Sequence, residues 1–134
     1  MKQKAKPEQL KVGLKLDGGK PPIHMIPPIA IILEAQVMGH GAEKYEENNF
    51  RKGIDSTRLI SAAMRHILAY SIGQTVDQDT YIHHLAHARC CLAFLIEQDF
   101  RVSIEKDTRF KFDPNVATRM LQELEARQEP VVGK

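Results

Sequence analysis

The stretch H-H-L-A-H-A-R-C-C, residues 83 to 91, packs three of the chain's six histidines into five positions and follows them with both of its cysteines. On a helix, residues three or four apart share a face, so His84 with His87, or alternatively His83 with His87, can aim two imidazoles at one ion. Asp77 and Asp79 stand just upstream. His66 joins them if the segments around 66 and 84 form an antiparallel hairpin, which the short connector between Gly73 and Thr80 favours. Imidazole with carboxylate is a donor set for Mn²⁺, Fe²⁺, Co²⁺ or Zn²⁺ more than for Mg²⁺, which prefers oxygen ligands alone. A single helical histidine is ordinarily a surface or core residue, so the case rests on the clustering. Cys91 lies four residues after His87 and offers a sulfur, but its neighbours Cys90, Leu92 and Ala93 read as core packing.

Other acids and cations are spaced for related chemistry. Glu43 and Glu46 form an E-x-x-E that can hold a hard cation and is equally an ordinary solvated helix end, with Glu47 beside it. Glu34 interrupts an apolar segment, where a carboxylate is costly unless it is paired, bound to metal or turned to water. Lys20 follows Gly-Gly, Lys44 lies in AEKY, Arg51 and Lys52 in NNFRKG, and Arg65 directly precedes His66. Each alone is an ordinary surface charge; together they suit a phosphate chain, whose oxygens Lys and the Arg fork neutralise and orient. LDGGKPP lacks the spacing of Walker or dinucleotide glycine motifs, yet its glycines let backbone amides approach a ligand.

Helices must carry these groups. Pro7, Pro21, Pro22, Pro27 and Pro28 with Gly13, Gly18 and Gly19 make residues 1–28 an extended arm. Ile29, Ile32, Leu33, Gln36, Val37 and His40 have helical spacing, so a first helix runs from Ile29 to about Tyr45, with Pro28 at its first turn and fraying expected at Gly39 and Gly41. Asp55 or Ser56 caps a second, with Leu59, Ile60, Ala63, Met64, Ile67 and Leu68 as its apolar positions and a stop at Gly73. A third spans about Thr80 to Gln98, with a core stripe of Ile82, Leu85, Ala88, Leu92, Leu95 and Ile96 that leaves out His84 and His87. Residues 100–115 read as loop or short extended chain. A shorter helix, Asn115 to Arg127, offers Val116, Met120, Leu121 and Leu124 as a narrow seam for packing on a partner subunit.

The expected architecture is an all-α helical bundle in a single domain, residues 1–134, comprising arm 1–28, catalytic helical core 29–99 and C-terminal loop and helix 100–134. A length of 134 residues and 43% hydrophobic composition suit one core. Lys2, Lys4, Lys6, Lys11, Lys15 and Lys20 are followed by no apolar targeting stretch, and no membrane-length apolar run occurs. With adjacent cysteines that frame no disulfide scaffold, a reducing cytoplasm is the expected compartment. A net charge of +2 speaks against a duplex nucleic-acid surface.

Four blocks in order, LDGGKPPIHMIPP, GAEKYEENNFRKG, SAAMRHILAYSIGQ and DQDTYIHHLAHARCCLAFL, resemble the phage and bacterial family of dATP/dGTP diphosphohydrolases, which is related to the MazG-like all-α nucleotide pyrophosphohydrolases. The resemblance covers Leu14 to Glu97, about two thirds of the chain. The family pattern, approximately D-x-G-K, G-A-x-K-Y, N-aromatic-R-x-G, R-H, D-x-E and H-L-x-H-A, falls on Asp17 and Lys20, on Gly41, Lys44 and Tyr45, on Asn49, Phe50, Arg51 and Gly53, on Arg65 and His66, on Asp77 and Asp79, and on His84 and His87. Phe50 stands where tryptophan is frequent and Asp79 where glutamate is common. MazG-like enzymes hold metal through E-x-x-E and E-x-x-D pairs; this chain has no E-x-x-D, and His84 and His87 stand at that spacing, which implies a histidine-modified centre.

The resemblance implies metal-dependent hydrolysis of purine deoxynucleoside triphosphates, dGTP foremost and dATP second, to monophosphate and pyrophosphate, in phage-encoded remodelling of purine pools. The expected metal ligands are His66, Asp79, His84 and His87, with Glu34, Glu43 and Glu46 in reserve, for Mn²⁺, Mg²⁺ or Co²⁺. Lys44, Arg51, Arg65 and Asp77 are the expected catalytic groups. Asp17, Lys20, Lys44, Tyr45, Asn49, Phe50 and Arg51 bind substrate, with Phe50 or Tyr45 stacking on the base. A homodimer or homotetramer is implied, with no membrane partner. The rivals are an HD-type triphosphohydrolase, although no His-Asp dipeptide occurs, and a non-catalytic helical regulator that binds nucleotide or metal.

Overall fold

The computed structural model describes residues 12–101 and 104–127, so Lys2, Lys4, Lys6, Pro7 and Lys11 of the expected arm lie outside the described residues. The fold is all-α. Among the described residues four helices, α1 (Pro28–Lys44), α2 (Ser56–Ser71), α3 (His84–Phe100) and α4 (Val116–Ala126), are joined with three short 3₁₀ turns, Ile23–Met25, Asn49–Lys52 and Ile104–Lys106. Among the described residues the only extended pairing is an isolated antiparallel bridge between Val76 and His83.

Pro28 starts α1 at a position whose missing N–H costs nothing. The helix does not fray at Gly39 and Gly41 but runs on to Lys44. Packing overrides the propensity of about 1 kcal/mol per glycine, because Leu33, Val37 and Met38 pack with Ala86, Cys90 and Phe94 of α3. Asp55 is the N-cap residue of α2, as expected, but its side chain makes no cap hydrogen bond. The first turn is capped from outside instead: Thr57 N–H donates to Thr108 Oγ1 at 3.0 Å, and Thr108 N–H donates to Ser56 Oγ at 2.8 Å. The segment after α3, expected to be loop, is thereby stitched to the start of α2. At the other end Gly73, at φ +105, turns the chain out of the helix, and Gln74 N–H returns to Ala69 O at 3.0 Å.

The third helix departs from expectation in two ways. It begins at His84 rather than Thr80, because Asp77 captures the amides that a longer helix would use and Tyr81 adopts a left-handed φ of +59. His83 then caps it, its Nδ1 accepting from Leu85 N–H at 3.0 Å. The core face is also different: Leu92 and Ile96 are 45% and 63% exposed, whereas His84 is only 6% exposed. The expected single stripe assumed one packing partner. In fact α3 packs against both α1 and α2; Ala86, Ala88 and Cys90 take the buried positions, Ile82, Leu85 and Leu95 of the expected stripe are half-buried, and only Leu92 and Ile96 turn outward.

Helix α4 has no buried residue, and Met120, Leu121 and Leu124 are exposed along it. Residues 12–27 are likewise exposed. No helix among the described residues is long and apolar enough to cross a membrane.

Candidate metal centre

The connector between α2 and α3 builds the site. Asp77 Oδ1 accepts the backbone N–H groups of Asp79 and Thr80, each at 2.9 Å, while Tyr81 N–H closes on Asp77 O at 2.8 Å. This Asx turn fixes the Asp77 carboxylate at the start of α3. His84 N–H donates to Thr75 O at 3.0 Å, so the first helical residue is also held. The antiparallel return of α3 along α2 then lays His66 across the pair.

His66 Nδ1 lies 2.8 Å from His84 Nδ1. The ligand atoms of His66, Asp77 and His84 all fall within 4.8 Å of one another. His87 stacks on His66, ring centroids 4.5 Å apart and 9° from parallel, and its Nε2 is 2.7 Å from Thr80 Oγ1. Tyr70 flanks His83 at 5.4 Å.

The electrostatics suit a cation. Burial lowers the His66 pKa, and the neighbouring charges of His87, His84 and Arg65 lower it further against the opposing pull of Asp77. His87 is lowered first by burial, then by His84 and by His40 at the α1 exit, with Asp77 opposing. Burial opposes ionisation of Asp77, but the amides of Thr80 and Asp79, the His87 charge and the Thr80 hydroxyl outweigh it and hold the carboxyl below its usual range. A neutral His66 imidazole beside an ionised Asp77 carboxylate is the pairing that metal ligation requires. His84 Nε2 is buried without a hydrogen-bond partner among the protein atoms, at a cost of about 1–3 kcal/mol if nothing satisfies it. An orphaned nitrogen beside a converging His₂-Asp set fits a borderline divalent ion.

The expected ligands are only partly brought together. His66 and His84 converge, but the carboxylate is Asp77; Asp79 is exposed and contributes its backbone N–H. The Asx turn selects between the two acids by using the amides after Asp77 to aim it inward. His87 lies against the set without being one of its three members. Glu34 lies 3.6 Å from Arg89 Nε in an ion pair, Glu43 and Glu46 are exposed, and Glu46 pairs with Lys52. Cys91 stays outside the cluster, and burial raises its thiol pKa against the pull of Arg65.

The expected substrate groups divide likewise. Arg65 is exposed beside His66. Lys44 and Tyr45 are exposed at the α1 exit, Lys44 Nζ 5.1 Å from the Tyr45 ring, and Asp17 and Lys20 share an exposed turn. Asn49, Phe50 and Arg51, however, sit against the far end of α3: Phe50 stacks on Phe94 at 4.2 Å, and Arg51 Nη2 meets Glu97 at 3.4 Å. Arg51 also lies 4.6 Å over the Phe50 ring, so the expected base-stacking residue packs on Phe94 and Arg51 here. Glu97 follows His84 by 13 residues and His87 by 10, which at 1.5 Å per residue puts it roughly 20 Å and 15 Å along the helix from them. Thr80 and His40 carry no expected role, and His83, an alternative ligand by its spacing from His87, caps α3 instead. Asp77-x-x-Thr80 is a legible Asx-turn signal, whereas nothing short of the α1–α3 packing brings His40 near His87.

A helical fold that sets a histidine-carboxylate cluster at a hairpin mouth, with Arg65 beside it, defines the class: an all-α protein with a candidate divalent-metal centre. The chain belongs to the family described as dATP/dGTP diphosphohydrolase, N-terminal, whose model matches residues 11–109. It is 36% identical over 83 residues to a dATP/dGTP diphosphohydrolase of Salmonella phage PMBT28, a stretch that is 62% of this chain and 28% of that protein. No solved structure matches.

Proposed function

We propose that this chain hydrolyses dGTP, and dATP as a second substrate, to the deoxynucleoside monophosphate and pyrophosphate, using a divalent ion (Mn²⁺, Co²⁺ or Mg²⁺) held by His66, Asp77 and His84. The observation that carries the reading is the convergence of those three side chains within 4.8 Å, in a chain that belongs to the diphosphohydrolase family. A divalent ion held by His66, Asp77 and His84 would supply charge neutralisation on the phosphate oxygens and polarise the phosphorus. His87, kept neutral by burial and held through Nε2 by Thr80, takes the proton of the attacking water at Nδ1. Arg65 binds phosphate oxygens and stabilises the charge that grows on them. Lys44 and Tyr45 from the α1 exit, and Asp17 and Lys20 from the arm, bind the rest of the nucleotide. In a phage setting the activity remodels the host cell's purine pool.

Product identification by ³¹P NMR tests the reaction. With Mn²⁺, Co²⁺ or Mg²⁺ we expect pyrophosphate and monophosphate from dGTP, falling by about 100-fold or more in His84→Ala. Tripolyphosphate as product contradicts the reading in favour of the HD-type reaction. A second reading, nucleotide binding without turnover, draws on the fact that the matched stretch is 28% of the phage relative. Stoichiometric dGTP binding with no product under any of the three metals would favour it.

A further inference from the structure

The far end of α3 carries a chemistry of its own. A cleft of about 230 Å³ opens there between the Asn49–Lys52 turn, the last turn of α3 and the Ile104–Lys106 turn. Its lining presents four cations, Arg51, Lys52, Arg101 and Lys106, against one carboxylate, Glu97. Glu97 is shared, 3.4 Å from Arg51 and 3.7 Å from Arg101; Lys106 Nζ is 4.0 Å from Asp55, and Lys52 pairs with Glu46. All these pairs are exposed or half-exposed, the kind that water screens and that holds its partners weakly, so the cations are free to exchange partners.

The backbone beneath them is fixed. Gln98 clamps Ile54 through both of its backbone groups, accepting from the N–H at 2.7 Å and donating to the carbonyl at 3.0 Å. Phe50 stacks on Phe94 and carries the Arg51 guanidinium over its ring. Gly53, at φ +96, admits the Lys106 stem so closely that a Cβ would lie 3.0 Å from its Cγ. The cleft is thus a set of loosely paired charges on a rigid floor. It is smaller than the roughly 300–1,000 Å³ of pockets that bury a whole drug-sized ligand, which suits a compact anion rather than a nucleoside.

We propose that this cleft is a second anion site, roughly 15–20 Å along α3 from His87 and His84, that takes a compact, multiply charged phosphate group: free pyrophosphate or the phosphate tail of a nucleotide. The proposal stands independently of the metal-centre reading, because none of its residues belongs to that cluster. It gives Arg51 a phosphate that is not the one beside His66.

The test is a calorimetric titration of pyrophosphate into the full chain with EDTA present. Saturable binding is expected, weakened roughly tenfold or more in the Arg101→Gln, Lys106→Gln double variant. Arg101→Lys should restore most of the loss when paired with wild-type Lys106, and unchanged circular dichroism and melting temperature would exclude misfolding. His84→Ala should bind pyrophosphate as wild type does. A parallel dGTP titration separates the sources: competition with pyrophosphate assigns the cleft to nucleotide tails as well, and exclusion of dGTP assigns it to the free anion. No saturable pyrophosphate binding, binding indifferent to the double variant, or binding lost in His84→Ala would each overturn the proposal.

Discussion

His66 and His87 both sit where burial disfavours their charged forms, and that has a consequence for the metal-free protein. Their folded pKa values lie below the unfolded value of about 6.5, so as pH falls through 6.5 the unfolded chain takes up protons that the folded chain refuses. Stability from these two groups is therefore present above about pH 6.5 and lost as pH drops below it. Melting temperature in EDTA should rise between pH 5 and pH 7, and His66→Ala with His87→Ala should flatten that rise. The cysteines give a second check. Burial pushes the Cys90 thiol up to about 12, so at pH 8 it holds almost no thiolate, and iodoacetamide should leave Cys90 unmodified in the native protein while labelling it after denaturation. At this scale the histidines were legible because clustering is visible along the chain. The choice of Asp77 over Asp79 was not, since it depends on which carboxylate captures two backbone amides.

The elements were legible wherever their signals are local. Pro28, Gly73 and the spacing of apolar residues place α1, α2 and α4 to within a residue or two, because first-turn prolines and left-handed C-terminal glycines act through the adjacent backbone. Helix α3 failed the same test at its start and on its face. Its start is decided by a side chain three residues upstream of Thr80, and its face by two packing partners at once. The cap of α2 is the other non-local feature, since Thr108 lies 51 residues from Thr57. Thr108→Val keeps the shape but removes the acceptor for Thr57 N–H, and should destabilise the fold by about 1 kcal/mol, read from chemical denaturation. An effect below a few tenths of a kcal/mol would mean that water caps α2 equally well.

Across the whole molecule, α3 acts as a spine with different chemistry at its two ends, a histidine-aspartate cluster where it begins and a cationic cleft where it finishes. The sequence motifs gave no hint of that separation, because residues close in a family pattern need not be close in space. The same spine exposes Leu92 and Ile96, and α4 buries none of its residues. The homodimer or homotetramer implied by the resemblance would cover such surface. Sedimentation at micromolar concentration should give at least twice the 15.2 kDa chain mass, and a monomer there would contradict that assembly. Co²⁺ titration followed by visible absorption reads occupancy of the His66–Asp77–His84 centre itself. We predict one saturable ion per chain, lost in Asp77→Asn and His84→Ala and retained in Asp79→Asn. Co²⁺ spectra unchanged by Asp77→Asn, or abolished by Asp79→Asn, would contradict it.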